Sequence, residues 1–574
     1  MVFLSGGAFR PERASARFQK TKAMWEHAAT RFPHAFNSAT NMDFAKQIEF
    51  ARELAGSGQY EKAANVCREI TARQPNNHEA WHLLGVLHNL GGRPRDARDC
   101  IRHAIDIEPG IAKYHLNLGN ACLSLNEPPA ARAEYERALE LDADFQDAHY
   151  NLGLLLLASG DRGKGEFHLR RAVDGTAPLP EAWARLADTQ ETDNRLEDAA
   201  HSVAQGLALA PDAPLLRIVE AKLLRRDGRH AEALSRLSEL SRVRLTARLA
   251  VGYHHEMGLL HEQLGQSGLA FEHFSLANQA QSEDPAVKTL NPANYLAAVE
   301  QLADTPLGDS WLATDVADDE PAPVFLIGFP RSGTTLLDQI LDSHPAIQTL
   351  EEKPLILTLA NEYENLAAET APDREARRRM QARYFDLVAE HLALKPGMTL
   401  VDKFPLNIIR VPLIVRIFPK ARFILALRHP LDVCLSCFMH PFGPNEAMLN
   451  FAHLDTTAQL YRHAMRLWLR VERELGLTAH RIRYEDLVRN FDAEVQGLLA
   501  FLGLPWDERV RDFARHAAER GKINTPSYHQ VTRPLSRDAV YRWKRYAKQL
   551  APIVPVLAPF IREYAYDVEF ADQA

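Results

Sequence analysis

Displacing the chain against itself by 34 residues brings Gly85, Gly119, Gly153, Ala187 and Ala221 into one column. The same shift brings Ala63, Ala97, Ala131, Gly165, Ala199 and Ala233 into a second, twelve residues away. A period of that length is a supersecondary repeat. Two antiparallel helices need small side chains where their backbones approach closely, and these columns supply one on each helix. Trp81, Trp183, Leu84, Leu118, Leu152 and Leu186 recur as the bulky positions of the first helix, Ala104, Ala138 and Ala172 repeat inside the second, and Pro75 and Pro109 end it. Six units run from about residue 43 to 240, and a seventh, shifted by three residues, follows at Gly258 and Ala270.

The period and both small-residue columns resemble the tetratricopeptide repeat. The resemblance implies an all-α superhelix in which each unit contacts only its neighbours, with a concave face that takes extended peptides or partner proteins. Recruitment of a polypeptide is the expected role, and composition leaves a rigid spacer or a dimerisation arm open. Residues 1–42 read as a lead-in or cap. The array is expected over 43–285, a linker over 286–322, acidic and proline-bearing from Thr305 onward, and a second domain over 323–574.

At 574 residues the chain is too long for one core, and 46% apolar with 25% charged residues is a globular composition. A net charge of −8 argues against nucleic acid or an anionic membrane as the main partner. No apolar run is long enough to span a bilayer, the first ten residues have no basic stretch ahead of their apolar patch, and five cysteines make no disulfide framework, so the cytoplasm is the expected compartment. Cys434 and Cys437 form a lone C-x-x-C, expected to be a packed helical face. The run Arg374 to Arg379 is expected to be a solvated helical face. The sequence leaves the oligomeric state open, a dimer included.

The second domain opens on a short apolar run, Val324 to Ile327, that ends at Gly328. A loop carrying Arg331 and Gly333 follows, and an apolar-periodic helix starts near Thr334. Strand, loop and helix in that order aim backbone N–H groups and the helix dipole at one spot, which is an anion site. The spacing is that of the nucleotide-binding loop G-x-x-x-x-G-K-[ST], but Thr334 stands at the lysine position and the basic residue, Arg331, comes earlier. A fork-shaped guanidinium with the hydroxyls of Ser332, Thr334 and Thr335 suits a terminal monophosphate without a metal. Two more strands are expected, one ending on Lys403 and one delivering Arg428, each at the carboxyl end where α/β sheets bind ligands. Ser436 follows Arg428 on a helix that begins at Pro430.

Gly328-Phe-Pro-Arg-Ser-Gly-Thr-Thr335 resembles the 5′-phosphosulfate loop of the sulfotransferases that use 3′-phosphoadenosine 5′-phosphosulfate, and within them the tyrosylprotein sulfotransferase-like branch. The resemblance covers residues 323 to about 560. It implies a P-loop-like α/β domain with a parallel sheet, sulfuryl transfer to a hydroxyl acceptor, and no metal. Arg331, Ser332, Gly333, Thr334 and Thr335 would hold the 5′ phosphosulfate, and Arg428 with Ser436 the 3′-phosphate. Glu352, second of a Glu-Glu pair, is implied as the general base, and Lys403 as the lysine that neutralises the bridging oxygen. His344 is a competing base, although His-Pro here also terminates a helix. Tyr484 of R-Y-E-D-L is implied near the nucleotide. Ser527 and Arg542 are implied on the 5′ side of the donor, with arginine where the family usually has lysine. The acceptor, a peptide tyrosine, a saccharide or a lipid-linked hydroxyl, is not read from these residues. A P-loop kinase or other nucleotide-binding enzyme, which would need Mg²⁺, and an inactive repeat scaffold are the competing readings.

Overall fold

The computed structural model describes residues 44–175, 178–307, 322–363, 372–520 and 539–566. The chain divides into two compact units, Met1–Leu223 and Leu224–Ala574. The array boundary expected at 285/286 lies inside the second unit.

The first unit is a succession of helix pairs, Phe44–Gly56 with Tyr60–Arg73, His78–Leu90 with Pro94–Ile107, Ala112–Ser124 with Pro128–Leu141, Gln146–Ala158 with Arg162–Val173, and Pro180–Thr192 with Leu196–Leu209. The small-residue columns sit where the helices of a pair touch. A Cβ at Gly85 would stand 2.5 Å from Ile101 Cγ1, and one at Gly119 2.5 Å from Tyr135 Cε1. Ala97, Ala131, Ala199 and Ala233 of the other column are wholly buried.

In the second unit the helix pair α1 (Ala247–Gln263) and α2 (Ser267–Glu283) carries the shifted seventh repeat. Gly258 meets Phe274 as Gly119 meets Tyr135, a Cβ there lying 2.6 Å from the ring. Ala270 and Phe274 belong to the same apolar core as the sheet residues Phe325 and Phe423, so this pair is built into the second unit. Part of the expected linker is also structured. Helix α3 (Pro292–Asp304) starts on a proline, is capped by the Asn291 side chain accepting from Ala293 N, and buries Val299 and Ala303 in that core. Residues 308–321 of the expected linker, and the lead-in, lie outside the described residues.

Five parallel strands form the sheet: β1 (Val324–Gly328), β2 (Ile347–Glu351), β3 (Thr399–Lys403), β4 (Arg422–Leu427) and β5 (Thr478–Arg483), in the order β2-β3-β1-β4-β5. Phe325 and Ile327 of β1 enter one core and Val324 and Leu326 the other, which is why the strand reads as unbroken apolar sequence. The chain leaves β1 toward β2 and leaves β4 toward β5, so at these two neighbours the connections diverge. Such a switch point is where open α/β sheets leave a ligand crevice outside the carboxyl ends of their strands. Among the described residues no helix is long and apolar enough to cross a membrane.

Candidate active site

The loop after β1 turns on two residues of positive φ, Arg331 at 70° and Gly333 at 97°, which bracket Ser332. Alternation of this kind makes a concavity of backbone N–H groups. Gly328 has to be glycine for the turn to close, because a Cβ would lie 2.7 Å from both Ala426 O and Ser332 Oγ. The Ser332 hydroxyl donates to Phe329 O at 2.6 Å and pins the loop. Thr334 and Thr335 lie buried in the first turn of α4 (Thr334–Asp342), which Gly333 caps.

A left-handed arginine costs about 1–3 kcal/mol unless its surroundings hold it. Here Arg428, at the end of β4, donates from Nη1 to Arg331 O at 3.3 Å, and Arg331 Nε donates to Ser436 Oγ at 3.1 Å. Ser436 lies on α5 (Pro430–Met439), whose first turn follows directly on Arg428 and His429. The two expected phosphate cradles therefore meet. Burial pulls the Arg331 pKa down to about 10, with the charges of Arg428 and Arg542 acting in the same sense against Cys437 and Glu352. The guanidinium is still charged at neutral pH, and like charges gathered in a buried place favour an anion among them. Tyr484 joins them, its ring 5.1 Å from Arg428 Cζ and its side chain against Gly333.

Lys403 ends β3 and is fully buried. Its register partner is Glu351, whose carboxylate stands 3.4 Å from Nζ. Consecutive strand residues point to opposite faces. Glu352 escapes that rule because its φ is +47°, and its Oε1 comes back to 2.8 Å from Lys403 Nζ while its N–H donates to Lys403 O at 2.7 Å. Burial alone would lower the Lys403 pKa, but Glu352, Asp338 and Glu351 outweigh it and the net shift is upward. Lys403 is thus a fixed cation at neutral pH. His344, the competing base, is buried with both ring nitrogens engaged: Nε2 lies 3.0 Å from Pro505 O, and Nδ1 accepts from Ala346 N.

The structure brings together Arg331, Ser332, Gly333, Thr334, Thr335, Arg428, Ser436 and Tyr484, and pairs Glu352 with Lys403. Arg542 is turned elsewhere. Its guanidinium forks onto Glu262 of α1, Nε at 2.5 Å and Nη2 on the second oxygen, although its charge still reaches Arg331. Ser527 lies outside the described residues. Cys434 and Cys437 are wholly buried thiols, both pushed up by burial, on the packed face that the sequence suggests.

Three acidic groups escaped the sequence reading. Asp338, buried on α4, helps hold Lys403 charged. Glu485 accepts from His429 N at 2.9 Å and from the Tyr566 hydroxyl at 3.0 Å, and so fixes the residue after Arg428. It stands in the R-Y-E-D-L string beside Tyr484, a signal within reach. Asp432 accepts from Trp543 N at 2.7 Å, and burial, opposed by Arg428 and the Trp543 N–H, raises its pKa to about 6.

Residues 323–508 match the Sulfotransferase family, and residues 48–110 and 119–160 match tetratricopeptide repeat families. An uncharacterized protein of Aquifex aeolicus is 29% identical over 251 residues, 41% of this chain and 32% of that protein. Protein-tyrosine sulfotransferase 1 of Danio rerio is 25% identical over 266 residues, 42% of this chain and 72% of that protein. The Homo sapiens protein-tyrosine sulfotransferase 1 is 26% identical over 267 residues, 42% of this chain and 69% of that protein. The chain spans about a third of the length of the Aquifex aeolicus relative. It carries tetratricopeptide repeats followed by a sulfotransferase-family domain.

Proposed function

We propose that the second unit transfers a sulfuryl group from 3′-phosphoadenosine 5′-phosphosulfate to a hydroxyl, that of a peptide tyrosine, and that the repeats recruit the polypeptide or a partner on their concave face. One observation carries the reading. Arg331 and Arg428, 97 residues apart, converge on one crevice with Ser436 and the N-terminus of α4 beside them. Such a cluster fits a small molecule bearing an anion at each end, and the donor has a phosphosulfate on one side of its ribose and a phosphate on the other. The residues fit the donor without a metal, since arginine forks, hydroxyls and backbone N–H groups are all donors to phosphate oxygens.

When bound, the donor supplies the activated sulfuryl group. The loop at 331–335 would hold its 5′ end and Arg428 with Ser436 its 3′-phosphate; Ser527 would belong to the 5′ side, whereas Arg542, forked onto Glu262, would stand off the donor. Glu352 accepts the proton of the acceptor hydroxyl as its oxygen bonds to sulfur. Lys403 neutralises the bridging oxygen as its bond to sulfur breaks, and adenosine 3′,5′-bisphosphate leaves. Glu351, still 3.4 Å from Nζ, keeps Lys403 paired while Glu352 turns to the acceptor. Catalysis of this kind rests on placement and charge stabilisation.

Tyrosine is favoured among the hydroxyls by the animal relatives, which are protein-tyrosine sulfotransferases, and by repeats suited to extended peptide. The cytoplasm is the proposed compartment, supported by five cysteines that are all free. Labelled donor offered with a mixture of tyrosine peptides and saccharides, followed by mass spectrometry, tests the reading. A sulfo group on peptide tyrosine is expected. Sulfation of saccharide alone would overturn the acceptor, and phosphorylation from Mg·ATP without any sulfo transfer would overturn the reaction.

A further inference from the structure

The segment 539–546 closes behind the Arg428 side of the crevice. Ala539 O accepts from Arg428 Nη2 at 2.5 Å, Trp543 N donates to Asp432, and the Trp543 ring stacks on His429 with centroids 5.0 Å apart and 23° between planes. Tyr541, at the start of the turn Arg542–Tyr546, is held at a φ of +54°. Backbone in that region relaxes unless something outside it holds the conformation. That hold is shared by two carboxylates: Asp432 takes the backbone N–H groups of Tyr541 and Trp543, and Glu262 on α1 takes the side chains that follow. Glu262, 7% exposed, takes both prongs of Arg542, accepts the Tyr546 hydroxyl at 3.2 Å, and has Arg545 at 3.6 Å.

We infer that Glu262, carried by the last helix pair of the repeat pattern, is a positioning residue for the donor site: by anchoring 539–546 it fixes Arg428 and His429 for the 3′-phosphate. The inference rests on the donor reading above. Nothing near Glu262 in sequence belongs to the sulfotransferase pattern, so the repeat-derived pair α1 and α2 would be part of the catalytic unit as well as the end of an array. Removing the carboxylate would leave a partly buried arginine and a buried phenol without their acceptor, and the segment would shift to find others. Its contact on Arg428 would go with it.

The test is calorimetric titration of the full chain with adenosine 3′,5′-bisphosphate and, separately, adenosine 5′-monophosphate. The two probes differ only in the phosphate assigned to Arg428. General loosening of the fold would weaken both alike, whereas loss of positioning weakens only the bisphosphate. Glu262→Gln is expected to cut the preference for the bisphosphate about tenfold. An unchanged preference in a folded variant overturns the inference. Should that variant not fold, Tyr546→Phe removes one donor from the same carboxylate; a fall of about threefold supports the proposal, and no change overturns it. A wild-type chain without preference for the bisphosphate would instead refute the donor reading, and the role of Glu262 with it.

Discussion

The two units are built on opposite kinds of dependence. In the repeat array each constraint is local and recurs, so Gly85 against Ile101 and Gly119 against Tyr135 are the same contact one period apart. Around the sheet no such contact recurs, and the working groups come from five places in the chain that only the sheet order brings together. The array should therefore tolerate loss of one contact as a graded loss of stability. The crevice should fail in function before it fails in fold.

Lys403→Ala is the change expected to have the largest effect. It should lower sulfuryl transfer about a thousandfold, the upper end for losing a preorganised charge stabiliser, while the chain still binds adenosine 3′,5′-bisphosphate. Steady-state transfer rates alongside calorimetry check it, and retained turnover would break the contrast. Glu352→Gln is next. A lost general base should cost about a hundredfold in kcat, with bisphosphate affinity unchanged.

Gly119→Leu probes the other side of the comparison. Its added side chain meets the Tyr135 ring, and overpacking of that kind should destabilise the array by about 1–3 kcal/mol in urea unfolding followed by circular dichroism. Bisphosphate affinity should stay at the wild-type value; a matching loss of binding would show that the two units are not independent.

The smallest effect is expected at Asp402, beneath the site. Burial raises its pKa to about 7, opposed by the Tyr384 hydroxyl that donates to it at 2.7 Å. The unfolded carboxyl titrates near pH 4. Between about pH 4 and pH 7 the folded chain keeps a proton that the unfolded chain releases, so this contribution is fully present below about pH 4 and is lost as the pH rises through about 7. Asp402→Asn removes the dependence. Its melting temperature relative to wild type should therefore rise by about 2 °C from pH 5 to pH 8, and a difference independent of pH would refute the shift.

The contrast between the units also explains what was legible in the sequence. Repeats announce themselves through spacing alone, because one packing rule acts at every period. The phosphate loop was legible because strand, turn and helix are contiguous there. Arg428 and Ser436 were legible for the same reason, lying on one strand-to-helix junction. Partners from distant sequence left no local signal, and so Asp338 beside Lys403 and Glu262 beneath Arg542 went unread. The positive φ that returns Glu352 to Lys403 is set by the β3 backbone, and no residue near Glu352 announces it. Arg377, in a run read as solvated, is 1% exposed: the helix Arg374–Ala389 turns that one position inward among its charged neighbours.

The central claim is that Arg331 and Arg428 grip one adenine-bearing donor between them. Calorimetric titration of adenosine 3′,5′-bisphosphate into the full chain in the presence of EDTA, repeated with Arg331→Ala and Arg428→Ala, tests it most directly. The account predicts one site per chain, insensitivity to the chelator, and affinity at least about tenfold weaker in each variant. Binding that required Mg²⁺, or that was untouched by either substitution, would contradict it.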